Sequence, residues 1–339
     1  MNVYFGENAF TQLSALTYNY DKFFLLTDEN IFKIYSSMIA SLIPEKEVNK
    51  IILPAGEQSK SLDNVVLIWN KLLEAKAGRD SLLINLGGGT ISDIGGFAAS
   101  CFKRGIDFIN VPTTLLAMID ASIGGKNGIN FNNYKNQIGL FSEPKSVIIN
   151  PNFLKTLNER DILSGLAEMM KYAFIADTAF LDIDGDNYLD FIEKAAATKD
   201  EIVGLDMKES GLRKILNFGH TIGHALESYY IDEDNYLTHG EAVALGMYSS
   251  LLLSKKYCGL DEKWLFFYEM WFKANLNLLN LTDFDVDSIF GFIAHDKKNK
   301  AGKPKFVLIS APEKPQIDVE VNESDIKESI SVLKEKFSA

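Results

Sequence analysis

The chain contains four histidines, and three of them fall within a stretch of twenty residues. His220 and His224 are four residues apart, so a helix would place both side chains on one side, and His239 follows shortly after. Glu168 lies among apolar residues in a helical pattern, where a buried carboxylate needs a partner or a metal ion. Two histidines and one carboxylate are typical ligands of a catalytic zinc ion. The spacing alone favours His220 and His224 as the ligand pair, and the alternative is that they are ordinary core or surface histidines without a metal.

A second candidate site is the run of three glycines at Gly87–Gly89, which follows the apolar segment Ser81–Leu86. A helix pattern begins directly afterwards, and the free N–H groups at a helix start favour a phosphate. The spacing differs from the dinucleotide fingerprint, because Ser92 stands where its third glycine would fall. The pattern therefore indicates either a nucleotide site or a tight turn without a ligand.

Two lysines mark further candidate anion sites. Lys126 follows Gly124 and Gly125, which places an ammonium beside exposed backbone amides, and Lys135 and Asn136 come in a second polar segment. Each segment is interpreted as an anion site or as a solvated loop.

Composition excludes several classes of protein. A length of 339 residues suggests two domains, and the net charge of -12 argues against nucleic-acid binding. Two cysteines exclude a disulfide scaffold and favour a reducing cytoplasm. The start of the chain lacks the pattern of a signal peptide. The longest apolar run, Ala242–Leu253, is too short to cross a membrane and predicts a buried helix.

Short β-rich runs alternate with helical patterns in the first half, which predicts an α/β fold with a parallel sheet. Helical periodicity dominates from about Glu159 onward, so we expect an α/β domain at 1–157 and a mostly helical domain at 158–339. A helix is expected over Ser61–Lys76, with its apolar face formed by Leu62, Val65, Val66, Trp69, Leu72 and Leu73. The predicted strands are Lys22–Thr27, Asn49–Leu53, Ser81–Leu86, Phe108–Val111, Val147–Ile149 and, late in the chain, Lys305–Ser310.

Ordered motifs along most of the chain resemble one family, 3-dehydroquinate synthase, which belongs to the sugar-phosphate cyclases. They include PAGEQSK (54–60), GGGTISDIGGFAA (87–99), FKRG (102–105), PTTLLAMIDASIGGK (112–126), LSGLAEMMKY (163–172), ESGLRKILNFGHTIGHALE (209–227) and HGEAVALGM (239–247). The resemblance implies an N-terminal α/β nucleotide-binding domain, a mostly helical C-terminal domain and a site between them.

The same resemblance implies which residues bind the metal, NAD and the substrate. The metal is zinc, with cobalt or another divalent metal as the alternative, and its ligands fall on Glu168, His220 and His239, so that His224 faces the substrate instead. NAD contacts fall on Asp28, Asn30, Glu57, Lys60, Gly88, Gly89, Asp93, Thr113, Thr114, Lys126, Lys135, Phe153, Thr156 and Leu157. Substrate groups fall on Asp120, Lys126, Lys135, Asn136, Lys171, Lys199, Arg213, Asn217, His224 and Lys298, chosen over Lys297.

The family reaction converts 3-deoxy-D-arabino-heptulosonate 7-phosphate into 3-dehydroquinate and phosphate. The resemblance also implies a cytoplasmic homodimer in which Arg104 completes the phosphate site of the partner subunit. Arg213 is expected to lie one helical turn before Asn217, on the same helical stretch as His220. Three alternatives stay open: another NAD-dependent cyclase, such as a 2-deoxy-scyllo-inosose or valiolone-type synthase, a metal-dependent dehydrogenase of the glycerol dehydrogenase type, and a nucleotide-binding module without catalysis.

Overall fold

In the computed structural model the chain divides into two units, and the first unit contains a parallel sheet. Residues 1–16, 19–41, 47–132, 134–230, 236–276, 281, 283–295 and 303–337 are described. The first unit comprises Met1–Leu157 and Ile192–Met207, and the second comprises Asn158–Phe191 and Lys208–Ala339.

Helices and strands alternate in the first half, and helices prevail in the second. The strands are β1 (Asn2–Phe5), β2 (Lys22–Asp28), β3 (Val48–Leu53), β4 (Ser81–Gly87), β5 (Asp107–Pro112), β6 (Lys126–Phe131), β7 (Tyr134–Phe141), β8 (Ser146–Ile149), β9 (Lys305–Ile309) and β10 (Pro315–Glu320). The α-helices are α1 (Thr11–Leu16), α2 (Glu29–Ser41), α3 (Leu62–Glu74), α4 (Gly89–Cys101), α5 (Glu159–Ile175), α6 (Ile192–Leu205), α7 (His220–Tyr229), α8 (His239–Cys258), α9 (Glu262–Asn275), α10 (Val286–His295) and α11 (Glu323–Phe337).

Six strands of the first unit pair in parallel in the order β1-β8-β5-β4-β2-β3. Every residue of β4 is buried, as expected for a strand covered on both faces of a parallel sheet. The strands predicted from the sequence, five in this sheet and β9 late in the chain, are all present, with ends shifted by at most one residue. The predicted fold class, a parallel α/β unit followed by a mostly helical part, is thereby confirmed.

The helix predicted at Ser61–Lys76 forms as α3, but the expectation for its apolar face is partly wrong. Ser61 caps the helix by accepting the N–H of Asn64, and the buried residues are Val65, Ile68 and Leu72. Of the other predicted core residues, Trp69 is half-buried and packs against the core, whereas Leu62, Val66 and Leu73 are exposed. Because successive helix residues are rotated by about 100°, one stripe of three suffices to cover the sheet, and neighbouring apolar residues point outward.

Lys126 and Lys135 lie in a hairpin rather than in the two polar loops that the sequence predicts. Lys126 begins β6, and Lys135 and Asn136 lie in β7, which pairs with β6 antiparallel. Both strands are rich in glycine and asparagine, which weakens any strand signal in the sequence. Strands β1 and β10 were also missed.

Helix α6 belongs to the first unit, although it follows α5 along the chain. The division therefore differs from the expected ranges 1–157 and 158–339 in one segment, Ile192–Met207. The ion pair of Lys199 on α6 with Asp120 gives this segment a partner in the first unit. A boundary inferred from the order of elements along the chain cannot reveal such a return.

The second unit is built around α8. The apolar run Ala242–Leu253 lies within this helix and is buried as predicted, apart from the half-buried Leu252. Thr238 and Glu241 form a capping box at its start, and Gly259 ends it in the left-handed conformation (φ 71°). Within the described ranges, no helix has the length and apolar character needed to cross a membrane.

The expectation of one helical stretch from Arg213 to His220 is wrong. Residues Leu212–Asn217 form a short 3-10 helix, and α7 begins only at His220. Between them Gly219 adopts a left-handed backbone (φ 80°), which breaks the helical path and which glycine adopts without strain. A side chain at Gly219 would also press on Met247 of α8.

Candidate cofactor site and metal centre

The predicted nucleotide residues of the first unit gather at the carboxyl edge of its sheet. The chain leaves β2 for β3 on one side and returns as β4 on the other, so the strand order switches between β2 and β4. Ligands of open parallel sheets bind at the carboxyl ends of the strands beside such a switch. Asp28 ends β2, Gly88 and Gly89 follow β4, and Thr113 and Thr114 follow β5.

The glycine-rich turn leaves the start of α4 open. Gly88 is the N-cap of this helix and supplies no side-chain cap, so the first amides are available to an anion. A Cβ on Gly88 would lie 3.1 Å from Cγ2 of Thr114, and one on Gly89 would lie 3.0 Å from Cβ of Ala121. The side chains of Thr114 and Ala121 therefore lie close against this turn. Because Gly88 and Gly89 carry no side chain of their own, a ligand can approach their backbone directly.

Asp28 and Asn30 are joined at the start of α2. The carboxylate of Asp28 accepts the N–H groups of Asn30 at 2.9 Å and Ile31 at 3.0 Å. This capping interaction fixes the orientation of Asp28 at the carboxyl edge.

Lys60 is buried and bridges two carboxylates. Its Nζ lies 2.5 Å from Asp93 and 3.9 Å from Glu57, and Glu57 also accepts hydrogen bonds from Thr90 and Asn130, each at 2.9 Å. Burial acts to raise the pKa of Glu57, but Lys60 and the two hydrogen bonds outweigh it and lower the pKa. Burial raises the pKa of Asp93 in spite of Lys60. Three predicted NAD residues thus form one network, which includes two residues that sequence reasoning missed.

Tyr35 connects two further predicted NAD residues and was also missed. Its hydroxyl donates to the carbonyl of Phe153 at 3.2 Å and lies 2.5 Å from Oγ1 of Thr156, while its ring meets the Phe153 ring edge-on at 4.9 Å. Phe153 and Thr156 lie in a short 3-10 helix, Pro151–Thr156, and Leu157 directly follows it. Tyr35 lies within α2 with no motif around it, so only the fold reveals this contact.

Lys199 and Asp120, both predicted to bind substrate, lie together in the first unit. The Lys199 ammonium is 2.7 Å from the Asp120 carboxylate and donates to the Asp120 carbonyl, also at 2.7 Å. Asp120 belongs to a π-helical turn, Ala117–Ala121, a local geometry that is frequent at functional sites.

The other predicted residues of the first unit are more accessible. Lys126, Asn136 and Arg104 are exposed, and Lys135 is half-buried. Lys103 and Arg104 have consecutive left-handed backbones (φ 51° and 69°), which is uncommon for residues with side chains. Lys298, with the alternative Lys297, lies outside the described residues.

In the second unit, three elements bring Glu168, His220 and His239 together. Oε1 of Glu168 is 3.5 Å from Nε2 of His220 and 3.5 Å from Nε2 of His239. His224 joins the cluster, because one ring nitrogen from each of the three histidines falls within 4.8 Å of the others. His220 and His224 lie on one side of α7, as their spacing predicts, with ring centroids 5.2 Å apart.

The two histidines nearest Glu168 are oriented by groups behind them. Nδ1 of His220 lies 3.1 Å from the Phe218 carbonyl, which can only accept a hydrogen bond, and Nδ1 of His239 lies 3.4 Å from the Glu227 carboxylate. In both rings Nε2 is thereby turned toward Glu168. Carboxylate or carbonyl partners of this kind orient metal-binding histidines in proteins.

The charges of the cluster are strongly coupled. Burial, reinforced by Lys171, holds the pKa of His220 well below its ordinary value, so this ring is neutral. Burial also acts to lower the pKa of His239, but Glu227 and Glu168 outweigh it and raise the pKa to about 10. A metal ion that binds His239 must therefore displace a proton.

Lys171 forms a close ion pair with Glu168, one turn away on α5, and neither side chain is more than 1% exposed. Burial alone would raise the pKa of Glu168, but Lys171 and the two imidazoles hold it well below its ordinary value. Glu168 is therefore an anion at neutral pH. Both carboxylate oxygens are buried, and neither accepts a hydrogen bond of ordinary geometry from the described part of the chain.

These residues fit a divalent metal ion. Ligand atoms about 2.0–2.2 Å from a tetrahedral zinc ion lie about 3.4 Å from one another, close to the 3.5 Å from Glu168 to each imidazole. One carboxylate and two histidines match the donor set of catalytic zinc sites. His224 is the exposed member of the histidine cluster, which favours Glu168, His220 and His239 over the ligand pair that spacing alone suggests.

The remaining predicted residues flank this centre along the chain. Arg213 is only 1% exposed, and the Asn217 amide donates to the carboxylate of Glu209. Sequence reasoning included Glu209 in a matching motif but assigned it no role. Buried arginine is suited to a planar anion, because its guanidinium presents a fixed fork of donors.

The fold is one found in a class of solved enzymes, the sugar-phosphate cyclases. A 2-deoxy-scyllo-inosose synthase, solved with carbaglucose-6-phosphate, NAD+ and Co2+, matches with a TM-score of 0.88 and 24% identity, over 98% of this chain and 96% of its own. The 2-epi-5-epi-valiolone synthase of Streptomyces hygroscopicus, solved with NAD+ and Zn2+, matches with a TM-score of 0.88 and 25% identity, over 99% and 97%.

Within this class, the chain belongs to the 3-dehydroquinate synthase family. The model of the 3-dehydroquinate synthase N-terminal domain matches residues 50–164, and that of the C-terminal domain matches residues 165–299. A 3-dehydroquinate synthase of Parabacteroides distasonis is 40% identical over 334 residues, which is 96% of this chain and 94% of the relative. The resemblance inferred from the motifs is confirmed.

Proposed function

We propose that the protein is a 3-dehydroquinate synthase, which converts 3-deoxy-D-arabino-heptulosonate 7-phosphate into 3-dehydroquinate and phosphate, with NAD and a divalent metal ion as cofactors. The observation that carries this proposal is the buried Glu168 beside Nε2 of His220 and His239, in a chain of this family. Two unbonded cysteines accord with a cytoplasmic location.

The cofactors define what the chain must bind. Bound NAD+ would supply a hydride acceptor that is regenerated within the reaction, and a divalent ion held by Glu168, His220 and His239 would supply a Lewis acid that lowers the pKa of the substrate hydroxyl to be oxidised. In this proposal the amides of Gly88 and Gly89 bind the pyrophosphate, and Asp28 and Lys60 fix the dinucleotide at the carboxyl edge.

The residues of the second unit bind and orient the substrate. Glu168, His220 and His239 hold the metal ion, and Lys171 keeps Glu168 ionised. Arg213 binds the substrate carboxylate through its fork of donors. His224 donates to the substrate phosphate, and Asn217, held by Glu209, donates a neutral hydrogen bond.

Phosphate release is the test of the reaction. Purified protein incubated with the seven-carbon substrate and NAD+ should release phosphate without accumulating NADH, because the hydride returns to the product. A dehydrogenase of the same fold would accumulate NADH, and a nucleotide-binding module would release nothing. Either result would contradict the proposal.

Other sugar-phosphate cyclases are the second candidate, because two of them share the fold with TM-scores of 0.88. A test of whether Arg213 binds a substrate carboxylate distinguishes the two functions. A substrate analogue with a neutral group in place of the carboxylate should be a poor substrate for the wild type, and Arg213→Ala should discriminate much less. Equal discrimination against the analogue by both proteins would favour the function of another cyclase.

We also propose a homodimer in which Arg104 completes the phosphate site of the partner subunit. Arg104 follows the far end of α4, and the 13 residues of that helix separate it from Gly88 by about 20 Å at roughly 1.5 Å per residue. Its exposure and left-handed backbone (φ 69°) support a functional role, because backbone strain is concentrated at functional sites.

Mixing two inactive variants tests this arrangement. Arg104→Ala and Glu168→Ala chains should each be inactive, and after subunit exchange a fraction of the mixed dimers should carry one intact site. Activity should therefore return in part. A mixture that exchanges subunits and stays inactive would show that Arg104 does not act on the partner.

A further inference from the structure

One face of α5 holds the first turn of α8 through three contacts in register. Arg160, Ser164 and Glu168 are spaced by four residues along α5, so their side chains lie on the same face. Residues 239–241 form the first turn of α8. The contacts pair Glu168 with His239 at 3.5 Å, Ser164 Oγ with the N–H of Gly240 at 3.0 Å, and Arg160 with Glu241.

The contact of Arg160 is bidentate. Its Nε donates to Oε1 of Glu241 at 2.7 Å, and Nη2 donates to Oε2 at 2.8 Å. The same Nη2 donates to the carbonyl of Tyr236 at 2.5 Å, and the guanidinium lies 4.9 Å from the centre of the Tyr236 ring. Arg160 therefore holds the chain at positions before and after His239.

Glu241 transmits this contact to the helix start. Its Oε2 also accepts the N–H of Thr238 at 2.7 Å, while its own N–H donates to Oγ1 of Thr238 at 3.3 Å. The Glu241 side chain is only 7% exposed, so loss of Arg160 would leave a nearly buried carboxylate without the cation that faces it. His239 directly follows Thr238 and is the first residue of this turn.

We propose that Arg160 is a positioning residue that fixes His239 as a metal ligand by locking the first turn of α8 onto α5. The inference rests on the proposed metal centre. Arg160 acts through Glu241 and the backbone at Tyr236 rather than through a contact with the histidine ring. Since Glu168 lies two turns after Arg160 on α5, the lock sets the spacing between two ligands that come from different helices.

The experiment compares the two ends of α8. Arg160→Met removes the lock at the start, and Arg160→Lys keeps a charge but cannot form the fork. Lys256→Met is the matched control, because Lys256 ties the other end of α8 to α11 through Asp325 at 2.7 Å and Glu328 at 3.2 Å. The readouts are the dissociation constant for Co2+ by chelator competition, the visible spectrum of the Co2+ protein, and the melting temperature of the metal-free protein.

We expect Arg160→Met to bind Co2+ about 10–100-fold more weakly than the wild type, the range found for groups that orient metal ligands, with an altered spectrum. The Co2+ affinity of Arg160→Lys should lie between those of Arg160→Met and the wild type. Lys256→Met should keep the affinity and the spectrum of the wild type, even where its melting temperature falls.

Wild-type affinity and spectrum in Arg160→Met would overturn the inference, and so would an equal loss of affinity in Lys256→Met. If Arg160→Met does not fold, Arg160→Lys decides by the same comparison. A wild-type protein that binds no Co2+ would overturn the proposed metal centre itself, and with it this inference.

Discussion

The buried ion pair of Glu168 and Lys171 offers a quantitative test of the electrostatics at the candidate metal centre. Both residues are on α5, three positions apart, and their side chains are 0% and 1% exposed. Removing one partner of a buried pair leaves the other charge uncompensated, which destabilises a protein by about 3–5 kcal/mol. We therefore expect Glu168→Gln and Lys171→Met to lower the free energy of unfolding of the metal-free protein within this range.

The neighbours of the pair predict which variant is worse. After Lys171→Met, Glu168 keeps the imidazoles of His220 and His239 at 3.5 Å, and His239 is protonated because nearby carboxylates raise its pKa to about 10. We expect a loss of about 3 kcal/mol. After Glu168→Gln, Lys171 and His239 remain as two cations without that carboxylate, so a loss of about 5 kcal/mol is expected.

The assay is urea unfolding with a chelator present, followed by far-ultraviolet circular dichroism. The double variant should be less destabilised than the sum of the single variants by about 2–4 kcal/mol, because it carries no unpaired charge. Lys71 and Glu74 form the matched control, an exposed pair with the same spacing of three and a distance of 2.9 Å, whose coupling should be about 0.5 kcal/mol or less. A coupling for Glu168 and Lys171 as small as that of the control would refute the reasoning.

Three further predictions concern the ligands. His220→Ala and His239→Ala should abolish binding of the metal and His224→Ala should retain it, as measured by metal content after dialysis; metal lost in His224→Ala but kept in His239→Ala would favour the pair suggested by spacing. Glu227→Gln should weaken metal binding by about 10–100-fold in chelator competition, because it removes the carboxylate behind His239; unchanged affinity would mean that Glu227 does not orient the ring. Gly88→Ala should fold, since its Cβ needs only a small shift of Thr114 at 3.1 Å, and calorimetry should show that it binds NAD more weakly. Gly95→Ala, in contrast, should destabilise the fold, because its Cβ would overlap the Asn85 side chain. Wild-type NAD affinity in Gly88→Ala would mean that the pyrophosphate does not bind at this turn.

The parallel sheet was predictable because its strands are continuous apolar runs. Ser81–Leu86 has no polar alternation to confuse it with a surface strand, and β4 is buried throughout. The hairpin of β6 and β7 was not predictable, since Lys126 and Asn136 stand in segments whose glycines and asparagines resemble loops. There the pairing of the two strands overrides local preference.

The candidate site shows the same division between local and distant information. The spacing of His220 and His224 is local, and their predicted placement on one side of a helix is confirmed. Spacing could not choose between His224 and His239, because that choice depends on where α5 places Glu168. Tyr35 and Glu227 carry no motif by which their roles could be predicted, and only the contacts reveal them.

Glycines of α8 explain why the metal centre can be so compact. A Cβ on Gly240 would overlap the backbone of Ser164 on α5, and one on Gly246 would overlap the carbonyl of Gly219, next to α7. The backbones of the segments that carry Glu168, His220 and His239 therefore approach one another without intervening side chains. Backbone contacts without intervening side chains leave little freedom in the distance between elements, so this packing, together with the contact of Arg160 with Glu241, constrains the 3.5 Å separations at Glu168. The motif HGEAVALGM thus carries a proposed metal ligand, a helix cap and two contact glycines in nine residues, and the cap and the glycines constrain the position of that ligand.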